Sequence, residues 1–139
     1  MMSNKNDNIK LIERLHHIWN TGNLDLIPEV YSENIIVHWP KGWGEKSVGH
    51  KGVRDSIKET RNIFLEWNEE ILDIVCDGEK VVTRYKSTGI HSKKCLGAEA
   101  SNKEIEFEEI SIYHIEHGKV IEQWCLGDDL FFLHQVKEN

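Results

Sequence analysis

Residues 104–115, which read EIEFEEISIYHI, carry the pattern that decides the fold. Their apolar residues change phase within the segment: Ile105 and Phe107 are odd-numbered, whereas Ile110 and Ile112 are even-numbered. Because successive side chains of a strand point to opposite faces, a shift of one position predicts a β-bulge. Bulges bend sheets, so we expect this strand to belong to a strongly curved sheet.

Further predicted strands lie on both sides of this segment. Asp77-Gly78 is a hairpin signal, and Glu116-His117-Gly118-Lys119 is a second turn. Strands that follow one another through such turns pair antiparallel, so the sequence predicts a meander of long strands at residues 70–76, 81–91, 104–115 and 120–126.

Helical patterns precede the meander. Apolar residues recur every three or four positions in residues 8–20 and 50–64, as in helices with one buried face. Gly22 can end the first helix in a left-handed conformation. A short helical piece interrupted by Pro28 and a short strand at residues 35–40 follow. We therefore expect an α+β fold, in which a cone-shaped curved antiparallel sheet wraps over N-terminal helices and encloses a pocket.

The composition predicts one soluble, cytoplasmic domain over residues 1–139. The formal net charge is −7, with 17 basic residues scattered among 24 acidic ones, which argues against a nucleic-acid partner. The apolar runs are only a few residues long and the N-terminus is polar, so we expect neither a membrane span nor a signal peptide. The 3 widely spaced cysteines favour reduced thiols over disulfides or a zinc site.

The last predicted strand carries the first candidate for chemistry. Alternation places Glu122, Trp124, Leu126 and Asp128 on one face if the strand continues regularly. Because burial raises the pKa of a carboxyl group, Asp128 in a partly dry pocket would exchange protons with a substrate near neutral pH. The alternative is that Asp128 caps a final helical turn at residues 130–135, and the two roles do not exclude each other.

Histidines at strand ends are the next candidates. His38 ends the short strand, and His91 ends a long one on the same face as Tyr85 and opposite Arg84. Taken alone, each histidine is either an ordinary polar residue or a catalytic group. Residues 114–117 (HIEH) have ligand-like spacing but span a predicted turn, so we expect no dedicated metal site. The sequence contains no nucleotide-binding loop or serine-hydrolase motif, so we expect no cofactor.

Several segments, taken in order, resemble one protein family. These are residues 19–27 (WNTGNLDLI), 37–40 (VHWP), 49–53 (GHKGV), 77–85 (DGEKVVTRY) with 89–91 (GIH), and 118–124 (GKVIEQW) followed by Asp128 and residues 133–135 (LHQ). Together they resemble the SnoaL-like polyketide cyclase (ester cyclase) family of the nuclear transport factor 2-like superfamily.

The resemblance implies a cone-shaped α+β barrel that dimerises through its outer sheet face and holds a small apolar ligand. It also implies cofactor-independent and metal-independent chemistry, in which Asp128 moves a proton beside a carbonyl and an intramolecular aldol reaction closes a ring. His38 or His91 would donate a hydrogen bond to the enolate oxygen. The substrate pocket would include Trp124, Arg84, Trp39, Glu122 and Tyr85.

Two other functions remain open from the sequence. The first is a non-catalytic binding protein, whose pocket would be sealed or purely hydrophobic, with His38 and His91 facing away from it. The second is a structural dimer module whose cone is filled with side chains. The volume and the lining of the pocket distinguish these functions from an enzyme.

Overall fold

The computed structural model describes residues 4–137, over which helices at both ends of the chain accompany a single sheet. The helices are α1 (Lys5–Thr21), α2 (Ile27–Val30), α3 (Gly49–Ile63) and α4 (Asp129–Lys137), with short 3-10 turns at Leu24–Leu26 and Lys41–Trp43. The strands are β1 (Tyr31–His38), β2 (Ser47–Val48), β3 (Phe64–Asp77), β4 (Lys80–His91), β5 (Glu104–Glu116) and β6 (Lys119–Gly127).

The sheet has the strand order β2-β1-β6-β5-β4-β3. The predicted meander of β3 to β6 is confirmed, and each of its pairs is antiparallel. In contrast, β1 pairs with β6 in parallel, so the sheet is mixed and unclosed instead of a wholly antiparallel barrel. The sequence pattern did not show this direction because no hairpin joins β1 to β6.

Helix α1 forms where the apolar periodicity predicted it, and it covers the inner face of the sheet. Its N-terminus is capped by Asn4, whose side chain accepts a hydrogen bond from the backbone of Asn6 at 2.7 Å. Its C-terminus ends at Gly22, which has φ of 73° and donates its N–H to the Ile18 carbonyl. Leu15 and Trp19 are among the residues that α1 buries in the core.

The predicted bulge in residues 104–115 is wrong. Strand β5 pairs with β4 without a register shift, from the Lys80–His114 pair to the Ile90–Glu104 pair. The odd-numbered residues of β5 face inward along its whole length, while Ile110 and Ile112 are exposed on the outer face. Register shifts occur within the β1–β6 and β3–β4 pairings, and at His114/Ile115 in the β5–β6 pairing, where the inward phase of β5 does not change.

Two clusters of buried side chains form the core. One joins α1 to the inner face of the sheet, and the other is largely aromatic and includes Phe64, Trp67, Phe107 and Phe132. All 3 cysteines carry free thiols, and the cytoplasmic location stays a prediction. Within residues 4–137, every helix is too short or too polar to cross a membrane.

Candidate functional site

A cavity of about 100 Å³ lies between the helices and the inner face of the sheet. Its walls combine two kinds of side chain. The aromatic ones are Trp19, Trp39, Trp43, Phe64, Trp67 and Phe107, and the polar ones include His16, Glu69, Tyr85, Glu109, Tyr113 and Gln123. Small-molecule sites commonly have mostly apolar walls with a few polar groups that orient the ligand. The predicted pocket is therefore present, but its lining is more polar than the sequence analysis expected.

The aromatic part of the wall is held by hydrogen bonds from indole nitrogens. Trp43 donates from Nε1 to Asp129 Oδ1 at 2.7 Å, and its ring stacks on Phe107 with a centroid distance of 6.2 Å. Trp39 donates from Nε1 to Ser47 Oγ at 2.7 Å. The first bond ties the segment between β1 and α3 to the start of α4, and the second holds that segment together.

Glu109, on β5, is the most chemically distinctive group of the cavity. Its Oε1 accepts a hydrogen bond from Ser87 Oγ at 2.7 Å, and its Oε2 accepts one from Cys125 Sγ at 3.3 Å. Burial raises the pKa of Glu109 to about 7, and the negative charge of Glu69 adds to this effect, while the bonds from Ser87 and Cys125 oppose it. A carboxyl group with this pKa exchanges protons readily near neutral pH.

The raised pKa of Glu109 predicts how stability depends on pH. The folded state binds more protons than the unfolded state between the ordinary glutamate pKa and about 7, so its free energy of unfolding falls as pH rises through this window. Glu109→Gln removes this fall, because glutamine does not titrate. As the pH rises from mildly acidic to mildly alkaline, we expect the free energy of unfolding of this variant to gain up to about 3 kcal/mol relative to that of the wild-type chain.

Urea unfolding of both chains on either side of this window measures the difference. Glu108→Gln is the matched control, because Glu108 points outward and is paired with Arg84 at 2.6 Å. An equal pH dependence in Glu109→Gln and in the wild-type chain would contradict the burial of a titrating Glu109.

His16 and Glu69 form a buried pair in the wall of the cavity. Glu69 Oε1 accepts a hydrogen bond from His16 Nδ1 at 2.6 Å, and Glu69 Oε2 accepts one from Trp67 Nε1 at 2.9 Å. On the other side of the ring, His16 Nε2 contacts the Tyr113 hydroxyl at 2.8 Å and Thr83 Oγ1 at 3.2 Å. Both ring nitrogens are therefore occupied, so His16 positions Glu69 and shapes the wall.

A chain of hydrogen bonds runs from Gln123 to Glu109. Gln123 Nε2 donates to Ser111 Oγ at 3.2 Å, and Ser111 Oγ lies 3.0 Å from the Tyr85 hydroxyl. The Tyr85 hydroxyl lies 3.5 Å from Cys125 Sγ, which donates to Glu109. The side-chain oxygen of Gln123, Oε1, by contrast, accepts no hydrogen bond from any residue that the structure describes.

Two residues that the sequence analysis placed in the pocket line the cavity, Trp39 and Tyr85. Alternation along β4 was predicted correctly, since Tyr85 and His91 are buried while Arg84 lies on the other face. Burial raises the pKa of Tyr85 well above its ordinary value, so its hydroxyl stays protonated and able to donate a hydrogen bond.

Asp128 lies outside the cavity, so its predicted place in the pocket is wrong. It is exposed and caps α4, where its Oδ1 accepts a hydrogen bond from the backbone of Phe131 at 3.2 Å. The helix-capping alternative is confirmed. The residues that were expected to share a face with Asp128 do share one, but it is the outer face of the sheet.

His38, Glu122 and Trp124 lie together on that outer face. His38 Nε2 is 2.6 Å from Glu122 Oε2, and the His38 ring stacks on Trp124 with a centroid distance of 5.4 Å. Arg84 is also on the outer face, where it bridges Asp73 and Glu108 at 2.6 Å each. None of these predicted pocket residues lines the cavity, because each alternates with an inward-facing neighbour.

His91 is fully buried but faces the aromatic cluster instead of the cavity. Its ring packs against Phe64 and Phe132, and its Nδ1 lies 3.0 Å from Ser101 Oγ. Burial lowers the pKa of His91. The ring is therefore a core residue between the end of β4 and α4, and it does not line the cavity.

The sequence analysis missed the main polar groups of the cavity, Glu69, Glu109 and Gln123. The signal for Glu109 was present in residues 104–115, because the change of apolar phase marks the point where polar side chains occupy the inner face. We interpreted the change as a bulge. The position of Glu69 relative to the other groups depends on the register of β3 against β4, and no local pattern shows this.

Three exposed or half-buried groups outside the cavity have the arrangement of metal ligands. Glu79, His114 and Glu116 place one ligand atom each within 4.8 Å of one another. The sequence analysis considered only residues 114–117 and missed Glu79, which the turn between β3 and β4 brings alongside. None of the three lines the cavity, so this cluster takes no part in the site.

Comparisons with known proteins agree with the fold. The family model of the SnoaL-like polyketide cyclases matches residues 9–136. A "putative polyketide cyclase" from Bacillus cereus is 31% identical with a TM-score of 0.76, over 94% of this chain and 80% of that one.

Two more distant structures show the same fold. TsrD from Streptomyces laurentii is 21% identical with a TM-score of 0.86, over 97% of this chain and 98% of that one. AclR, a "putative hydroxylase" from Streptomyces galilaeus, is 17% identical with a TM-score of 0.80, over 96% of this chain and 97% of that one. A comparison with curated protein sequences found no match.

Proposed function

The chain belongs to the SnoaL-like polyketide cyclase family, and on this premise we propose that its cavity catalyses proton transfer beside a carbonyl group, with Glu109 as the acid and base. The observation that supports this proposal is the sheltered Glu109 carboxyl group in the cavity wall, whose pKa burial raises to about 7. Asp128, the acid of the sequence analysis, is replaced in this role because it lies outside the cavity.

The proposed reaction needs no group beyond the chain and its substrate. The Glu109 carboxylate takes a proton from the carbon beside the carbonyl, and the electron pair moves onto the carbonyl oxygen as an enolate. Tyr85, which stays protonated, donates a hydrogen bond to that oxygen. In ring closure, the enolate carbon attacks a second carbonyl of the same molecule, and Glu109 returns its proton to the alkoxide oxygen that forms there. In isomerisation, the double bond of the substrate is conjugated with the enolate, and Glu109 returns its proton to a different carbon of that conjugated system.

Exchange of the α-protons of cyclopentanone for deuterium, followed by NMR, tests the proton-transfer step without knowledge of the natural substrate. We expect the chain to accelerate exchange over buffer. The rate should rise with pH and level off above about 7, because the base form of Glu109 is the reactive one. Exchange no faster than in buffer would contradict the proposal.

Binding without catalysis is the second candidate, and one observation favours it: His38 and His91 both lie outside the cavity, as that function requires. The carboxyl groups of Glu69 and Glu109 in the wall argue against it, since the binding hypothesis expects a purely hydrophobic lining. A structural module with a filled cone does not fit the cavity of about 100 Å³.

We also propose that the chain forms a homodimer through its outer sheet face. Ile110 is the direct partner of Leu126 across the strands, and Ile112 is the partner of Trp124, so these exposed side chains form one apolar patch. Patches of this kind on a soluble surface mark interaction sites. A sheet face that packs on its own copy would exclude the patch from water.

Leu126→Glu tests the dimer, because Leu126 is 73% exposed and lies in the patch. A charge there would have to be buried in the interface, so we expect dimer affinity to fall at least about tenfold. Light scattering coupled to gel filtration measures the mass. Leu130→Glu is the matched control, since Leu130 is also exposed, at 65%, but lies on α4. A monomeric wild-type chain, or a dimer unaffected by Leu126→Glu, would contradict this interface.

A further inference from the structure

Three carboxyl groups in or beside the wall of the cavity have no positively charged partner. Glu59 and Glu109 line the cavity, and Asp129 lies beside it, where it accepts the hydrogen bond from Trp43 Nε1. Within residues 4–137, none of the three forms an ion pair. The hydrogen bonds that Glu109 accepts come from a hydroxyl and a thiol, which carry no charge. Glu109 is therefore a half-buried carboxyl group without a counter-ion.

The outer face of the same sheet shows the opposite arrangement. There Arg84 bridges Asp73 and Glu108, although both of these carboxyl groups are more than half exposed to water. A charge that is removed from water needs a partner more than an exposed charge does. The chain thus supplies counter-ions where water could replace them and supplies none to Glu109. This difference indicates that the missing positive charge comes from a ligand.

The rest of the lining does not supply that charge. Among the described residues of the lining, His16 is the only basic one, and its ring nitrogens already contact Glu69 and Tyr113. Burial raises the pKa of Glu109, and the negative charges of Glu69 and Asp129 raise it further. An anionic ligand would add to this repulsion, whereas a cation in the cavity would stabilise the ionised form of Glu109.

The aromatic part of the wall suits a cation as well. Its four tryptophans, here called the wall tryptophans, are Trp19, Trp39, Trp43 and Trp67. Tryptophan rings attract ammonium groups through the negative potential of their faces. Trp39 and Trp43 are half-buried and Glu59 is exposed, so a ligand that enters from solvent reaches an indole and a carboxylate first.

From these observations we infer that the cavity binds a cationic compound, whose protonated amine pairs with Glu109 and contacts the wall tryptophans. Applied to the proposed function, on which this step rests, the inference makes the substrate a carbonyl compound that carries a protonated amine. A carbonyl compound with a carboxylate or a phosphate group is excluded, because its charge would be buried beside Glu109. The charge of the substrate also stabilises the ionised form of Glu109, which is the base of the proposed reaction.

Binding of three probes of similar size to the full chain tests the inference, at a pH above the Glu109 pKa, where the carboxylate form predominates. Benzylammonium is a cation, benzyl alcohol is neutral, and benzoate is an anion. Physiological ionic strength largely screens weak attraction to the acidic surface of the chain. The five indole N–H signals report the location of each probe in nitrogen–proton NMR spectra. Trp124, which lies on the outer face, is the internal reference for the wall tryptophans.

We expect benzylammonium to bind at least about tenfold more tightly than benzyl alcohol, since hydrogen bonds to charged groups are the stronger ones. Its shifts should appear at the wall tryptophans, and benzoate should leave these signals unchanged. Glu109→Gln removes the charge, so most of the preference should disappear, whereas Glu109→Asp keeps the charge and should retain it. Glu59→Gln should weaken benzylammonium by about fivefold at most, because exposed ion pairs contribute little. Glu108→Gln, on the outer face, is the matched control and should keep the full preference.

Equal affinity for benzylammonium and benzyl alcohol in the wild-type chain would overturn the inference. So would the absence of benzylammonium binding, shifts confined to Trp124, or binding of benzoate at the wall tryptophans. A preference that survives in Glu109→Gln would overturn the pairing with Glu109. These results are separate from the cyclopentanone experiment: a preference for the cation without accelerated exchange rejects the proposed catalysis alone, and accelerated exchange without the preference rejects the ligand class alone.

Discussion

Glu109→Gln is expected to lower the catalysed exchange of cyclopentanone α-protons by about 10²- to 10⁴-fold, the usual contribution of a positioned general base. Glutamine has nearly the same shape as glutamate, and its carbonyl oxygen can still accept the hydrogen bond from Ser87. The variant therefore keeps the shape of the cavity and loses only the ability of residue 109 to take a proton. The residual rate should lose the rise with pH that the wild-type chain shows.

Two controls separate this role from a general effect of charge. Glu108→Gln changes the neighbouring carboxylate on the outer face, and Asp128→Asn changes the cap of α4. Both variants are expected to exchange cyclopentanone within about twofold of the wild-type rate, since surface changes away from a site have small effects. Loss of exchange in Asp128→Asn, with full activity in Glu109→Gln, would reject Glu109 and restore the acid of the sequence analysis.

The elements of the fold could be predicted because local signals define them. Gly22 ends α1 since a left-handed residue closes the last turn of a helix, and Asp77-Gly78 forms the turn between β3 and β4. Strand alternation in β4 also assigned Tyr85 and Arg84 to opposite faces correctly. Each of these features depends on residues that are close in the sequence.

The assignment of faces in β6 failed for a physical reason. Alternation shows which residues share a face but not which face is inside, and we chose the more apolar set, which contains Trp124 and Leu126. In most monomeric domains this choice is correct. Here the apolar set is exposed on the outer face, while the inner set contains Gln123 and Cys125 and borders a polar cavity.

The site itself depends on contacts between distant parts of the chain. Glu69 lies on β3 and Glu109 on β5, and the pairing of both strands with β4 brings the charge of one near the other. Their electrostatic interaction helps raise the pKa of Glu109, and the sequence between them holds no motif that indicates it. In a predicted curved sheet, carboxyl groups on separate strands are therefore candidates for neighbouring positions in the wall of a pocket.

The buried pair of His16 and Glu69 predicts the largest effect on stability. The two side chains are only 4% and 7% exposed, and they meet at 2.6 Å. His16→Leu leaves Glu69 buried with Trp67 as its remaining side-chain donor, so the free energy of unfolding should fall by about 3–5 kcal/mol, as when one partner of a buried ion pair is removed. His17→Leu is the matched control on the exposed face of α1, with a change within about 0.5 kcal/mol.

The double variant His16→Leu/Glu69→Met distinguishes a lost pair from a damaged core. Once the carboxylate is gone, the missing imidazole leaves no buried charge behind, so the combined loss should be smaller than the sum of the two single losses by at least about 1 kcal/mol. Urea unfolding of the four chains in one buffer gives this coupling energy. Strictly additive losses would mean that His16 and Glu69 contribute independently, through packing against neighbours such as Tyr85, whose ring lies 4.6 Å from that of His16.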